Sequence, residues 1–264
     1  MKKFAVIGNP IEHSLSPTIH TLFAQEQGEV IDYKKLLSTK NTFQEDIKLF
    51  FDNEGIGMNV TIPFKDNAYL ISDENDKSSI LCKSANTLFK KDNKIKSYNT
   101  DGDGLLNDFD KNSIDVENKK ILVIGAGGAA KSILTTLCNR KPNSVHILNR
   151  TKNKIPIILD NIKTNTTINI YEEGMNFDLI INTTSISMIN SEIIFPKNIF
   201  MNDSISYDLF YSKQKTKFQL WSEESGAKEA YNGLGMLIEQ AALSYEIWNN
   251  YKPDTTHIKK SLGF

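Results

Sequence analysis

The 264-residue sequence predicts an α/β protein of two domains, and three observations lead there. The length exceeds what one hydrophobic core usually serves, since single cores stop growing at roughly 250 residues. Short apolar runs of strand-forming residues alternate with stretches of helical periodicity, the pattern of βαβ units and a parallel sheet. At mid-chain, Ile121-Leu122-Val123-Ile124 runs straight into Gly125-Ala126-Gly127-Gly128-Ala129-Ala130, after which Ile133, Leu134, Leu137 and Cys138 recur at helical spacing.

Taken in order, the elements begin with the strand Phe4-Ala5-Val6-Ile7, closed by Gly8-Asn9-Pro10. That run is shorter than the about 7–15 apolar residues of a signal-peptide core, and no later run approaches the roughly 20 of a membrane span. A helix is predicted over 16–25 and a strand over 33–37. Residues 42–51 read as a helix with Phe43, Ile47 and Phe50 on one face, and 57–62 as a strand. Residues 85–89 and 95–98 flank the polar stretch 90–94 and read as a hairpin. Beyond the central strand–turn–helix, strands are expected over 144–148, 167–171, 177–182 and 200–207, and the polar stretch around 161–167 as a loop. A long amphipathic helix over 234–251 and a short one over 255–262 close the chain, with no internal repeat or low-complexity tract.

Composition narrows the function classes. Lys and Arg number 31 against 32 Asp and Glu, a net charge of −1, so there is neither a basic footprint for nucleic acid nor an acidic tail. Two cysteines, Cys82 and Cys138, are too few for a disulfide framework and suit a reducing cytoplasm. They and the four histidines (His13, His20, His146, His257) show no ligand spacing, so no metal is expected.

The glycine-rich turn has a mechanical meaning. After a strand, Gly125 makes the tight turn and Gly127 lets the backbone approach a pyrophosphate, while the following helix presents free N–H groups and its positive dipole end. A plain strand-to-helix loop is the bland alternative. The next strand ends in Asn149-Arg150-Thr151, with Lys152 and Lys154 just beyond. Where an NAD site usually offers a carboxylate to the ribose 2′-hydroxyl, this chain offers a guanidinium, which suits the 2′-phosphate of NADP.

A second constellation lies earlier. In Asn59-Val60-Thr61-Ile62-Pro63-Phe64-Lys65, Asn59 and Thr61 share one strand face, Pro63 ends the strand, and Lys65 falls in the first turn of a helix, where the dipole disfavours a cation. Singly these read as a surface amide, a strand threonine and a solvated lysine; converging at one strand end, they read as a site. Ser14 and Ser16, in His13-Ser14-Leu15-Ser16-Pro17, share parity and can face one ligand, although Ser16 before Pro17 is also a good N-cap. In Asn99-Thr100-Asp101-Gly102-Asp103-Gly104, Asp103 suits a helix N-cap, leaving Asp101 to pair with Lys65. Such a pair on a substrate hydroxyl supplies the proton transfer that accompanies hydride transfer at carbon.

These motifs, with Tyr207–Tyr211 and Gly233–Gln240 in the same order over nearly the whole chain, resemble the shikimate dehydrogenase family. The resemblance implies an N-terminal α/β substrate domain (1–101, joined by C-terminal helices 238–264), an NADP-binding Rossmann domain (102–237), and an active-site cleft between them. It implies reversible NADPH-dependent reduction of 3-dehydroshikimate to shikimate by a cytoplasmic monomer or homodimer, with no nucleic-acid or membrane partner. Lys65 and Asp101 become the catalytic pair. Ser14, Ser16, Thr61, Asn86, Tyr211 and Gln240 hold the substrate ring with Asn59 in support. Gly125, Ala126, Gly127, Gly128 and Ala129 cradle the pyrophosphate; Asn149, Arg150, Thr151 and Lys154 hold the adenosine phosphate; Leu209 and Gly235 flank the nicotinamide. The chain departs from the family pattern at Lys83-Ser84-Ala85 (usually Gly-Ala-Val), at Ser187 (usually Gly), at Asn232 (commonly Asp) and at Lys213 (often Pro), and Pro156 predicts a short or late helix after Arg150. Two other readings stand beside this one: a broader enzyme that also takes quinate, with NAD, and a non-catalytic metabolite or NADP(H) sensor. The sensor predicts loss of the proton-transfer groups, yet Lys65 and Asp101 are both present.

Overall fold

The computed structural model describes residues 1–160, 162, 164, 166–188 and 195–264. The predicted loop around 161–167 therefore lies partly outside the described residues, at Asn161, Lys163 and Asn165. The chain divides into two compact units, one of Met1–Gly104 with Ile238–Phe264 and the other of Leu105–Leu237.

The first unit runs β1 (Lys2–Gly8), α1 (Ser16–Gln27), β2 (Ile31–Leu37), α2 (Phe43–Asp52), β3 (Gly55–Val60), α3 (Lys65–Ile71), β4 (Glu74–Asn75), α4 (Lys77–Cys82), β5 (Thr87–Lys91) and β6 (Lys94–Tyr98), then enters α5 (Asp101–Lys111). Its six-stranded sheet has the order β2-β1-β3-β5-β6-β4; β1, β2 and β3 are parallel, and β5 turns back antiparallel beside β3. The hairpin β5–β6 closes through Asp92 and Asn93, both left-handed (φ 52° and 59°), the conformation of a two-residue turn that follows strand twist. The apolar stripe of α2 buries Phe43, Ile47 and Phe51 rather than the expected Phe50, which lies half-buried over Gly55. A Cβ on Gly55 would sit 2.3 Å from the Phe50 ring.

The second unit continues with β7 (Lys120–Ile124), α6 (Gly128–Asn139), β8 (Ser144–Leu148), α7 (Lys154–Leu159), β9 (Ile168–Ile170), β10 (Phe177–Asn182), β11 (Phe200–Asp208), α8 (Lys217–Glu224) and β12 (Glu229–Asn232); α9 (Leu234–Asn249) starts in this unit and belongs from Ile238 onward to the first, as does the last element, α10 (Ile258–Ser261). All its strands are parallel, in the order β12-β11-β10-β7-β8-β9. Numbered within the unit this is 3-2-1-4-5-6, the doubly wound dinucleotide-binding order, whose switch point falls between β7 and β10. Apolar residues fill both faces: Ile121 and Val123 of β7 join one core cluster, and Leu122 and Ile124 the other. Helix α7 is short, with Pro156 in its first turn. The helix expected to start at Lys65 is α3, whereas the sequence pattern passed over β4, α4, α8 and β12.

Candidate functional site

In the first unit, polar groups gather where β3 and β5 meet the starts of α3 and α5. Strand β3 ends at Val60, one residue before Thr61, but the Thr61 N–H still donates to the Ile7 carbonyl at 2.9 Å, so Thr61 keeps its place beside β1. Lys65 is the first residue of α3 and Asp101 the first of α5. The lysine sits where the helix dipole opposes it, the aspartate where the dipole favours it. Lys65 Nζ lies 2.6 Å from Asp101 Oδ2, with the two side chains 16% and 6% exposed. A pair this enclosed is far less screened than a surface ion pair.

Asp101 is fixed from behind. Asn86 Nδ2 donates to Asp101 Oδ1 at 2.8 Å, to Thr100 Oγ1 at 2.9 Å and to Gln240 Oε1 at 3.1 Å. The Asn86 Oδ1 accepts the Thr100 N–H at 2.9 Å, and Asn99 Oδ1 accepts the Asp101 N–H at 3.2 Å. Asn99 thus does the capping that the sequence suggested for Asp103, which lies exposed two residues inside the helix. Ser16 does not cap α1 either: Leu15 holds that position without a side-chain bond, and Ser16 is the first helical residue. Its hydroxyl accepts from Ser14 Oγ at 3.2 Å, so both serines present their hydroxyls together.

Asn59 lies deeper, and all its bonding capacity faces protein. Its Oδ1 accepts from Tyr33 Oη at 2.7 Å and from His20 Nε2 at 3.1 Å; its Nδ2 reaches the Asn86 carbonyl (3.2 Å), Thr87 Oγ1 (3.3 Å) and Ser244 Oγ (3.1 Å). His20, Tyr33, Thr87, Thr100 and Ser244 are members that sequence reasoning missed. The available signal was spacing: His20 is four residues from Ser16 on α1, and Ser244 four from Gln240 on α9. Burial pushes the His20 imidazole down to about 3 and the Tyr33 phenol well above its ordinary value. Gln240 is buried, and Gly104 lies against it: a Cβ there would come within 2.7 Å of the Gln240 backbone nitrogen.

In the second unit, Gly125 ends β7 at the switch point with φ +117°, and a Cβ would meet Thr183 Oγ1 at 2.3 Å. Gly127, exposed at the start of α6, has nothing within 4 Å of where a Cβ would be. One glycine is therefore demanded by backbone conformation and packing, the other leaves open the approach to the helix N-terminus. Ala126, Gly128 and Ala129 are half-buried around it. Asn149 follows β8 and donates to the Thr151 carbonyl at 2.8 Å, while Arg150, Thr151, Lys152 and Lys154 are all exposed. Leu209 and Tyr211 are half-buried in the loop after β11. Gly235 is buried at the start of α9, where a Cβ would fall 1.8 Å from Asp108 Oδ1. Asp108 also accepts from Tyr207 Oη at 2.7 Å, and Asn232 Oδ1 accepts the Leu234 N–H at 3.1 Å. Ser187, at a usual glycine position, donates to the buried Asp208 at 2.7 Å.

The structure thus brings Asn59, Lys65, Asn86, Asp101 and Gln240 into one connected network and pairs Ser14 with Ser16. Tyr211, Leu209 and Gly235 belong to the other unit, as do all the phosphate-facing candidates.

Family models match along most of the chain: "Shikimate dehydrogenase substrate binding domain" over residues 6–88, "Shikimate / quinate 5-dehydrogenase" over 108–200, and "Shikimate 5'-dehydrogenase C-terminal domain" over 233–262. The chain is 40% identical over 99% of its length, and 98% of the relative's, to shikimate dehydrogenase (NADP(+)) of Legionella pneumophila. The chain belongs to the shikimate dehydrogenase family. Among solved structures, it resembles an Ael1 enzyme from Pseudomonas putida at 32% identity and TM-score 0.89, covering 99% of this chain and 98% of that one. It also resembles shikimate dehydrogenase from Aquifex aeolicus at 26% identity and TM-score 0.90, covering 99% and 97%. The family's substrate-binding domain accordingly maps onto the unit that carries Lys65 and Asp101, and among the described residues no helix is long and apolar enough to cross a membrane.

Proposed function

We propose that this chain catalyses the reversible NADPH-dependent reduction of 3-dehydroshikimate to shikimate, the activity by which its shikimate dehydrogenase (NADP(+)) relatives are named. The observation that carries the reading is the enclosed Lys65–Asp101 pair at 2.6 Å, in the unit that matches the substrate-binding model. Residues 1–104 with 238–264 carry the ring-binding groups other than Tyr211, and 105–237 bind the dinucleotide. The open approach at Gly127 and the exposed Arg150, Lys152 and Lys154 fit NADP: the turn of Gly125, Ala126, Gly127, Gly128 and Ala129 would take its pyrophosphate, and Asn149, Arg150, Thr151 and Lys154 its adenosine phosphate. When bound, NADP(H) supplies the hydride acceptor or donor. Lys65 donates to the ring oxygen at the reacting carbon and, with Asp101, delivers its proton during reduction and receives it during oxidation. Asn86 holds the carboxylate of Asp101 in place, and Ser14, Ser16, Thr61, Gln240 and Tyr211 orient the ring, with Asn59 behind them. Leu209 and Gly235 take the nicotinamide end. The enzyme works in the cytoplasm as a monomer or homodimer.

Absorbance at the reduced-nicotinamide band, with shikimate plus NADP, tests the assignment. A rise that needs both compounds is expected; no rise over a range of pH refutes it. Parallel reactions with quinate and with NAD separate this reading from a broader dehydrogenase.

A further inference from the structure

His20 stands out as a group whose position stability alone does not favour. It is fully buried in α1, and its Nδ1 has no hydrogen-bond partner among the described residues. A phenylalanine of similar shape would avoid desolvating that nitrogen. Among the described residues, the one bond the ring makes is from Nε2 to Asn59 Oδ1, at 3.1 Å. The direction of this bond follows from the other side of Asn59. Its amide must point Nδ2 at the Asn86 carbonyl, a pure acceptor 3.2 Å away, so Oδ1 faces His20 and Tyr33 and can only accept. His20 Nε2 therefore carries the proton, and Tyr33 Oη supplies a second donor to the same oxygen at 2.7 Å. Two donors on one amide oxygen lock its rotation, and the locked amide grips the Asn86 main chain. The Asn86 side chain in turn holds Asp101 at 2.8 Å, and Asp101 holds Lys65 at 2.6 Å.

We propose that His20 is a positioning residue for the reaction: with Tyr33 it sets the Asn59 amide, and through Asn86 fixes where Asp101 and Lys65 stand. This rests on the proton-transfer role proposed above for Lys65 and Asp101. A displacement of about 1 Å in such a pair is enough to cost up to 100-fold in rate. His20 touches neither substrate nor cofactor, so its loss acts on turnover more than on binding.

The test compares the parent with H20F, which keeps a ring and removes the donor, and H20Q, which returns an amide N–H near the place of Nε2. Steady-state kinetics with shikimate and NADP should show kcat lowered about tenfold in H20F, with KM for shikimate changed less than about threefold. H20Q should recover most of the lost kcat. A residue that served folding alone would leave kcat of the folded fraction intact and show no such recovery. The inference is overturned if folded H20F keeps kcat within twofold of the parent, or if H20Q is no better than H20F. Should H20F fail to fold, Y33F decides: it removes the second donor to the same oxygen, and an unchanged kcat overturns the proposal. A parent chain with no activity overturns the proposed function and this inference together; an active parent with unaffected variants overturns this inference alone.

Discussion

His20 also couples stability to pH, and the size of the coupling can be worked out. Burial lowers its folded pKa from 6.5 to about 3. Below pH 6.5 the unfolded chain takes up a proton at this site that the folded chain refuses, so stability falls as pH falls and the loss stops only near pH 3. Each pH unit in that window is worth about 1.4 kcal/mol, which makes about 2 kcal/mol between pH 7 and pH 5. Urea unfolding at both pH values, on the parent and on H20Q, isolates the term, because other titrating groups are common to the two proteins. Trp248 is the reporter: its ring centroid lies 5.1 Å from that of His20, in the same unit. A Trp221→Phe background removes the signal of the second unit. With an m-value of about 2 kcal/mol per molar urea, the parent midpoint should drop about 1 M more than that of H20Q. Equal drops would mean that His20 is already protonated in the folded state at pH 5, and the desolvation argument would fail.

Four further outcomes follow from particular contacts. Lys65→Ala should lower kcat by orders of magnitude while shikimate binding, measured by calorimetry, largely survives; adding Asp101→Ala should cost little more, because the two act as one unit. Arg150→Ala should raise KM for NADP about tenfold or more and leave KM for NAD within about twofold, since only NADP carries the 2′-phosphate. Lys83 ends α4 in the left-handed region (φ 49°) and the Ser84 hydroxyl is buried with no partner among the described residues, so Lys83→Gly and Ser84→Ala should each raise stability by up to about 1 kcal/mol in urea unfolding. Gly235→Ala should lose about 1–3 kcal/mol despite improving helix propensity, because its Cβ would land on the Asp108 carboxylate; a thermal midpoint equal to the parent's would contradict this.

The sequence made five strands of the second unit's sheet and its glycine turn legible because both rest on local chemistry: strand runs buried on both faces, a Gly125 whose backbone and neighbours leave a side chain no room, and a Gly127 that leaves the helix N-terminus open. Boundaries were harder for stated reasons. Whether Asp101 or Asp103 opens α5 depends on the Asn99 side chain, and both acids suit the first turn of a helix, so local pattern cannot separate them. Strand β4, Glu74–Asn75, is too short for any periodicity. Strand β12 pairs only with β11, and its Glu-Ala-Tyr-Asn lacks a buried face, so nothing apolar announces it. Helix α8 did carry a signal: Thr216 and Gln219 form a capping box, visible as Thr-x-x-Gln.

The site divides along the same line. Lys65 was conspicuous because a cation opens a helix, against the dipole. His20 was not, because a lone histidine among Ile19, Phe23 and Ala24 reads as core, and in burial it is core. Its meaning appears only when chain segments far apart in sequence meet: α1 supplies the ring, β2 the Tyr33 hydroxyl, β3 the Asn59 amide, and the residue before β5 the carbonyl that orients it. Periodicity registers how apolar a face is, and it assigns His20 and its apolar neighbours to the same face. What separates them is one nitrogen left bare and another pointed at an amide oxygen, a distinction of hydrogen-bond direction. Residues that touch a ligand tend to break a local rule, whereas residues that aim those residues obey every local rule and reveal themselves by a polar group placed where packing alone would have chosen carbon.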